Sequence, residues 1–410
     1  MIDLDHNATT RPSPAVIQAV TRALAEFWHN PSSVHRAGQA ARHQVELARK
    51  EAAALIGVSA REIVFTSGGT EAIDLAIRGV VGARAAQIAP GGERSGTSSK
   101  PTPPVIVSTR VEHSAVRDLL EDLEKCGAAQ VRRAPIDREG IVDSSALAPL
   151  LAGAALCTIQ WANNETGAVQ PVDAIGETCR GCGVVFHCDG TQWIGKEETK
   201  RSRDEETKPS HPPLPCDILT FSPHKFHGPK GIGVLWARRG LGLRPTIHGT
   251  QELGRRGGTE NVPGILGAGV ACREAREWLA RPGERRRLAG LRDRFESLVL
   301  AAVPDALVNG PRDPARRLWN TTNIGFPRLE AEALLLMLSE RGVNASAGAA
   351  CSSGSLDPSP VLLAMGVPRE VAHGSLRFSL SKDTTEAEII EAARLVAESV
   401  AALRASLGAA

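Results

Sequence analysis

Three short segments combine residue types that could do chemistry together. Ser67-Gly-Gly-Thr-Glu71 follows the apolar run Glu-Ile-Val-Phe-Thr (62–66) and opens an amphipathic stretch. Glycines allow a tight turn there, and the free N–H groups and dipole of a helix start attract a phosphate. The same residues also make an ordinary N-cap at Thr70. Asp189 follows the run Val-Val-Phe-His-Cys (184–188). Ligands of open α/β sheets bind beyond the carboxyl ends of strands, where this carboxylate falls, although Asp also serves there as a turn former. The next apolar run ends in Ser222-Pro-His-Lys225, followed closely by the tight Gly228-Pro-Lys-Gly231. A lysine is by default a solvated surface charge, but Ser222 and His224 beside this one are two further donors suited to phosphate. Three strand ends thus offer a phosphate cradle, a carboxylate and an amine.

Other chemistries find no support. The glycine-rich dinucleotide fingerprint, the P-loop, the nucleophile elbow and the zincin helix are all missing from the sequence. Cys179-x-x-Cys182 with His187 and Cys188 has the residue types of a zinc site, but His187 and Cys188 are neighbours on a predicted strand and point to opposite faces. No metal is expected.

The elements that must position these residues follow from hydrophobic pattern. The chain has 410 residues, beyond the ~250–300 at which one core stops growing, so a large domain with a smaller one is expected. Its 42% hydrophobic and 23% charged residues suit a packed globular protein. Apolar runs at 62–66, 105–108, 156–160, 184–188, 217–221 and 231–236 read as strands buried on both faces. They alternate with amphipathic stretches at 36–56, 70–81, 113–126 and 172–179, the pattern of an α/β fold with a mainly parallel sheet. From about Val262 long amphipathic helices (262–280, 285–303, 330–341, 385–407) interleave with short strands near Ala306, Asn323, Val343 and Leu376, which reads as a smaller α+β domain. Segments 89–104 and 197–215 are rich in Pro, Ser, Lys and Glu and read as surface loops. A net charge of +2 leaves nucleic acid an unexpected partner. The N-terminal stretch is acidic and polar, so neither a signal peptide nor a membrane span is expected, and a cytoplasmic setting follows. Eight cysteines are too sparse for a disulfide framework and should be thiols.

One cofactor suits the three strand ends well. Pyridoxal phosphate has an aldehyde for a lysine, a ring nitrogen that works best protonated beside a carboxylate, and a phosphate for a helix N-terminus. The residues also resemble the cysteine desulfurases and the closely similar selenocysteine lyases, within the class V aminotransferase-like, fold-type I pyridoxal-phosphate enzymes. The resemblance spans nearly the whole chain: L-D-H-N-A-T-T (4–10), N-P-S-S-V-H-R-A-G (30–38), I-V-F-T-S-G-G-T-E (63–71), V-E-H-S-A-V (111–116), A-N-N-E-T-G (162–167), D-G-T-Q (189–192), S-P-H-K (222–225), G-G-T-E-N (257–261), A-C-S-S (350–353) and L-R-F-S (376–379).

That resemblance implies a role for each matching position. Lys225 would hold the cofactor covalently and move the Cα proton, and Asp189 would pair with the pyridine nitrogen. His113 would stack on the ring and serve in acid/base steps. Asn164 and Gln192 would hydrogen-bond the phenolic oxygen, with Asn164 also near the substrate. Gly69, Thr70, Ser222 and His224 would hold the phosphate, and Thr259 would be contributed across a homodimer interface. Arg377 would clamp the substrate carboxylate. Cys351, in the small-residue run 345–355, would attack the substrate sulfur and carry it as a persulfide, the other seven cysteines being structural. A large cofactor-binding domain is expected at 14–278, with 1–13 and 279–410 forming the smaller domain. The implied reaction turns L-cysteine into L-alanine and delivers sulfur to an acceptor or scaffold protein, as in iron–sulfur cluster assembly. A selenocysteine lyase acting on L-selenocysteine is the alternative, which P-S-P-V-L-L (358–363) also resembles. A catalytically weak sulfur-carrier scaffold is a third reading.

Overall fold

The structure is a computed structural model that describes residues 1–88, 102–199, 214–347 and 357–408. In chain order its strands are β1 (Ile2–Asp3), β2 (Ile63–Thr66), β3 (Val105–Ser108), β4 (Gln130–Arg133), β5 (Ala154–Gln160), β6 (Val185–Asp189), β7 (Ile218–Phe221), β8 (Gly233–Ala237), β9 (Leu307–Asn309), β10 (Thr321–Gly325), β11 (Val343–Asn344) and β12 (Ser375–Ser379).

Seven of them form one sheet in the order β2-β8-β7-β6-β5-β3-β4. The run β7-β6-β5-β3-β4 is parallel throughout, and its inner strands are almost wholly buried because helices cover both faces. β8 departs from the parallel pattern, pairing antiparallel with both β7 and β2. The 222–232 connection that carries Lys225 is too short for a crossover helix and can only fold the chain back. The open edge of β2 is closed by an ion pair instead of a strand. The Phe65 N–H donates to Glu252 Oε2 at 2.9 Å, Arg49 donates to both Glu252 oxygens at 2.6 and 2.8 Å, and Arg49 also reaches the Ile63 carbonyl at 3.0 Å.

Helix Arg36–Ile56 starts where the His35 ring accepts from the Gly38 N–H and stops at Gly57 in the left-handed region. Its buried positions Ala41, Val45, Ala48, Ala52 and Leu55 recur every three or four residues. They pack on helix Val262–Leu279, where a Cβ on Gly269 would sit 2.7 Å from that of Ala48, so only glycine permits this approach.

A second sheet, β12-β10-β9, is antiparallel and lies in the C-terminal part of the chain. β1 pairs in parallel with β11. From there the N-terminal segment crosses to the large sheet: the Ser379 N–H donates to the Leu4 carbonyl at 2.6 Å, and the Thr10 N–H to the His224 carbonyl at 2.9 Å.

The sequence reading omits β4 and helix Pro14–Glu26, and it ends the helix Gly69–Ile88 early. β4 is an edge strand with polar, half-exposed residues, so it lacks the apolar signal of its neighbours. In helix Pro14–Glu26, Ile17 and Leu24 are exposed beside the buried Val16 and Ala23, which blurs the apolar stripe.

Candidate active site

At the carboxyl ends of β2, β5, β6 and β7 a cavity of about 480 Å³ opens between the two sheets. It is lined by Gly69, Thr70, His113, Asn164, Asp189, Gln192, Ser222, His224, Lys225 and Arg377, among others. Every expected site residue therefore meets there except two. Thr259 is exposed and outside the lining, and Cys351 lies outside the described residues.

One end of the cavity is a donor cradle. The chain leaves β2 through a turn in which the Ser67 N–H donates to Glu71 Oε2 at 2.7 Å, and helix Gly69–Ile88 begins at once. A Cβ on Gly69 would lie 2.5 Å from Ser222 Oγ, and one on Gly233 would lie 2.3 Å from the Gly68 carbonyl carbon. Side chains at either position would fill the cradle, so the glycines are a spatial requirement here. Glu71 is fixed by Arg256 at 2.7 Å; burial pushes its carboxyl up, but the Arg256 and Ser67 bonds hold it below the usual range. His224 has its pKa lowered to about 4, by burial first and then by Lys225 and Lys230, and is neutral near pH 7. Its Nδ1 lies 3.1 Å from Thr9 Oγ1; with that hydroxyl donating, Nε2 carries the ring proton.

The middle of the cavity is set by strand ends. Asp189 closes β6, is buried, and accepts from the Thr191 N–H at 3.0 Å. His113 caps helix Ser114–Lys125, its Nδ1 accepting from the Ala115 N–H at 3.1 Å, so in the neutral ring the proton sits on Nε2. Behind it Glu112 is fully buried, and burial pushes its carboxyl up to about 8 despite bonds from the Thr109 hydroxyl at 2.6 Å and the Gln160 N–H at 2.9 Å. These bonds pin the 109–113 loop to the end of β5.

The far wall comes from the N-terminal segment and the second sheet. Lys225 Nζ donates to the carbonyls of Asn7 and Ala8, each at 2.8 Å. The Asn7 amide in turn donates to Thr321 Oγ1 at 2.9 Å and to the Asn164 carbonyl at 3.1 Å. Arg377 reaches in from β12, pairing with Asp5 at 2.6 Å and donating to the Asn164 carbonyl at 3.2 Å. Its Nε is buried with no hydrogen-bond partner among the described residues, a donor left over for a ligand.

Asn7, Glu112 and Lys196 are parts of this construction that sequence reasoning missed. Asn7 and Glu112 lie inside the quoted motifs at 4–10 and 111–116, but nothing local marks them as structural hubs. Cys179 is buried and Cys182 exposed, while His187 is held between Thr158 at 2.8 Å and Thr220 at 3.0 Å. Those residues do not converge, and among the described residues no cluster could hold a metal.

A flat anionic cofactor with a phosphate at one end fits this space. The glycine cradle would meet the phosphate and Asp189 a protonated ring nitrogen, and Lys225 lines the same cavity.

Known proteins resemble this chain along nearly its whole length. The aminotransferase class-V family matches residues 2–391. A cysteine desulfurase of Trichormus azollae is 44% identical over 407 residues, covering 99% of this chain and 94% of the relative. The cysteine desulfurase NifS of Azotobacter vinelandii is 40% identical over 404 residues, covering 98% and 93%. Among solved structures, a NifS-like protein superimposes with a TM-score of 0.84 at 32% identity, covering 98% of this chain and all of that one.

Proposed function

Because the chain belongs to the aminotransferase class-V family, whose members depend on pyridoxal phosphate, we propose that the cavity binds this cofactor. The protein is then a cysteine desulfurase, converting L-cysteine to L-alanine and taking up the sulfur on one of its own cysteines. The observation that carries this reading is the convergence of phosphate cradle, Asp189, Lys225 and Arg377 on one cavity of about 480 Å³.

The work divides among the residues as follows. The start of helix Gly69–Ile88, with Thr70, Ser222 and the Nε2–H of His224, would hold the phosphate. Asp189, kept in place by the Thr191 N–H, would accept from the ring nitrogen and keep it protonated. His113 would lie against the ring, and Asn164 and Gln192 would bond the phenolic oxygen. The chemistry that pyridoxal phosphate would supply there is an electron sink for the pair released at the substrate Cα, which would make the neighbouring C–S bond breakable. Lys225 Nζ would anchor the cofactor and move the Cα proton. Arg377 clamps the substrate carboxylate with a planar guanidinium already oriented by Asp5. Cys351, as a thiolate, attacks the substrate sulfur: an S–S bond forms, the C–S bond breaks, its electron pair returns to the carbon, and protonation gives alanine. The persulfide left on Cys351 then passes to an acceptor protein.

Thr259 is exposed, as suits a residue offered to a second subunit of a homodimer. A reducing, cytoplasmic setting suits a chemistry built on thiols. The test is initial-rate alanine production by purified protein on L-cysteine and L-selenocysteine, side by side with a reductant. Turnover on L-cysteine supports the reading. Turnover confined to L-selenocysteine would make the protein a lyase, and none on either would leave a carrier scaffold.

A further inference from the structure

Lys196 is a buried lysine, only 4% exposed, directly behind the cofactor cavity. Lysines are almost never fully buried without a charged partner. Among the described residues Lys196 has no carboxylate partner. Its Nζ donates instead to two neutral amide oxygens, Asn7 Oδ1 at 2.7 Å and Gln192 Oε1 at 2.6 Å. Burial first, and then the charges of Lys225 and Arg377, push its pKa well below the usual lysine range.

The local chain is built to put it there. Lys196 follows Gln192 by four residues, and the Ile194 and Lys196 N–H groups bond back to Gly190 and Trp193 in a helical turn. Gly195 has φ +79°, and a Cβ on it would lie 2.4 Å from the ring of Phe226, the residue after Lys225. Trp319 Nε1 donates to the Lys196 carbonyl at 3.0 Å from the side of the second sheet.

Because Nζ donates to both oxygens, each amide turns its oxygen toward Lys196 and its NH₂ away. Gln192 then donates one N–H to the Asn7 carbonyl at 3.1 Å and keeps a second for the cavity it lines. Asn7 directs its NH₂ to Thr321 and Asn164, and its main-chain carbonyl takes both Gln192 and Lys225. We propose that Lys196 is a positioning residue: through Asn7 and Gln192 it sets the donor polarity of the cavity wall and the seat of Lys225. The inference rests on the pyridoxal-phosphate reading and assigns that site a residue outside its lining.

A donor aimed at the phenolic oxygen disfavours protonation of the Lys225–cofactor linkage. Removing Lys196 should therefore raise the pH at which that linkage titrates. The experiment loads parental protein, Lys196→Met, Lys196→Gln, Gln192→Leu and the Lys196→Met/Gln192→Leu double variant with pyridoxal phosphate. It follows the visible absorption of the bound cofactor against pH, alongside thermal melting of the unloaded forms. The expected midpoint for Lys196→Met lies about one pH unit above the parental value, with Lys196→Gln between them. Gln192→Leu should shift it in the same direction, and the double variant by less than the sum. Parental midpoints in both Lys196 variants, with lowered melting temperatures alone, would overturn the proposal and leave a structural lysine; so would strict additivity. Should Lys196→Met fail to fold, Lys196→Gln decides. Parental protein that does not take up pyridoxal phosphate would overturn the functional reading as well, whereas uptake with unmoved midpoints overturns only the role of Lys196.

Discussion

The two ends of the cavity are built in opposite ways. The donor cradle is local: a strand, a turn with two glycines and a helix start within residues 63–71, completed by Ser222 close in space. The Lys225 wall is long-range, because Asn7, Asn164, Gln192, Lys225, Thr321 and Arg377 meet there from widely separated segments. A donor cradle can thus be encoded in one supersecondary unit, whereas the lysine wall needs the whole fold assembled. Damage to the first should weaken cofactor binding alone. Damage to the second should cost both chemistry and stability.

Lys225 stands where the two ends meet, and its loss has the largest expected effect. Lys225→Ala should lower alanine formation from L-cysteine by a factor of roughly 10³ or more, measured as initial rates with saturating pyridoxal phosphate. Asn7→Ala comes next. It strips partners from the buried Lys196, Asn320 and Thr321, and should lower stability by about 2–4 kcal/mol in denaturant titration while also reducing kcat. Parental stability in that variant would remove the contrast between the two ends.

Gly69→Ala probes the cradle. Its new methyl group meets Ser222 Oγ, so affinity for pyridoxal phosphate should fall by about tenfold, corresponding to about 1.4 kcal/mol, with unloaded stability nearly unchanged. Glu112, which supports the region between the ends, gives the contrast a pH dependence. Folded Glu112 keeps its proton up to about pH 8, whereas the unfolded chain releases it near 4.5, so between these values the native state holds the extra proton and stability falls as pH rises. The slope contributed is at most about 1.4 kcal/mol per pH unit. Glu112→Gln mimics the protonated form and should gain on the parent as pH goes from 5 to 8; melting curves that stay parallel across that range would contradict this.

The same contrast explains what could be read from the sequence. The Ser67–Glu71 turn, Asp189 and the Ser222–Lys225 turn were legible because each follows an apolar run and uses residues with local backbone or donor roles. The α/β class and mainly parallel sheet were legible from those same runs. β4 was not, since an edge strand needs no two-sided apolar pattern, and the reversal of β8 depends on the length of a connection. Lys196 reads as an ordinary charged residue until the fold buries it against Asn7, 189 positions away. Asn7 carries no local signal at all, because its hydrogen-bonding partners are brought by β10, by β12 and by the turns after β5 and β6.

The most direct test of the central claim is mass spectrometry of the peptide carrying Cys351 after one turnover of the pyridoxal-phosphate-loaded protein with L-cysteine, with alanine quantified in the same sample. The account predicts one additional sulfur atom on Cys351 for each alanine formed, and neither product in Lys225→Ala. Alanine formed without sulfur on Cys351, or formed undiminished by Lys225→Ala, would contradict it.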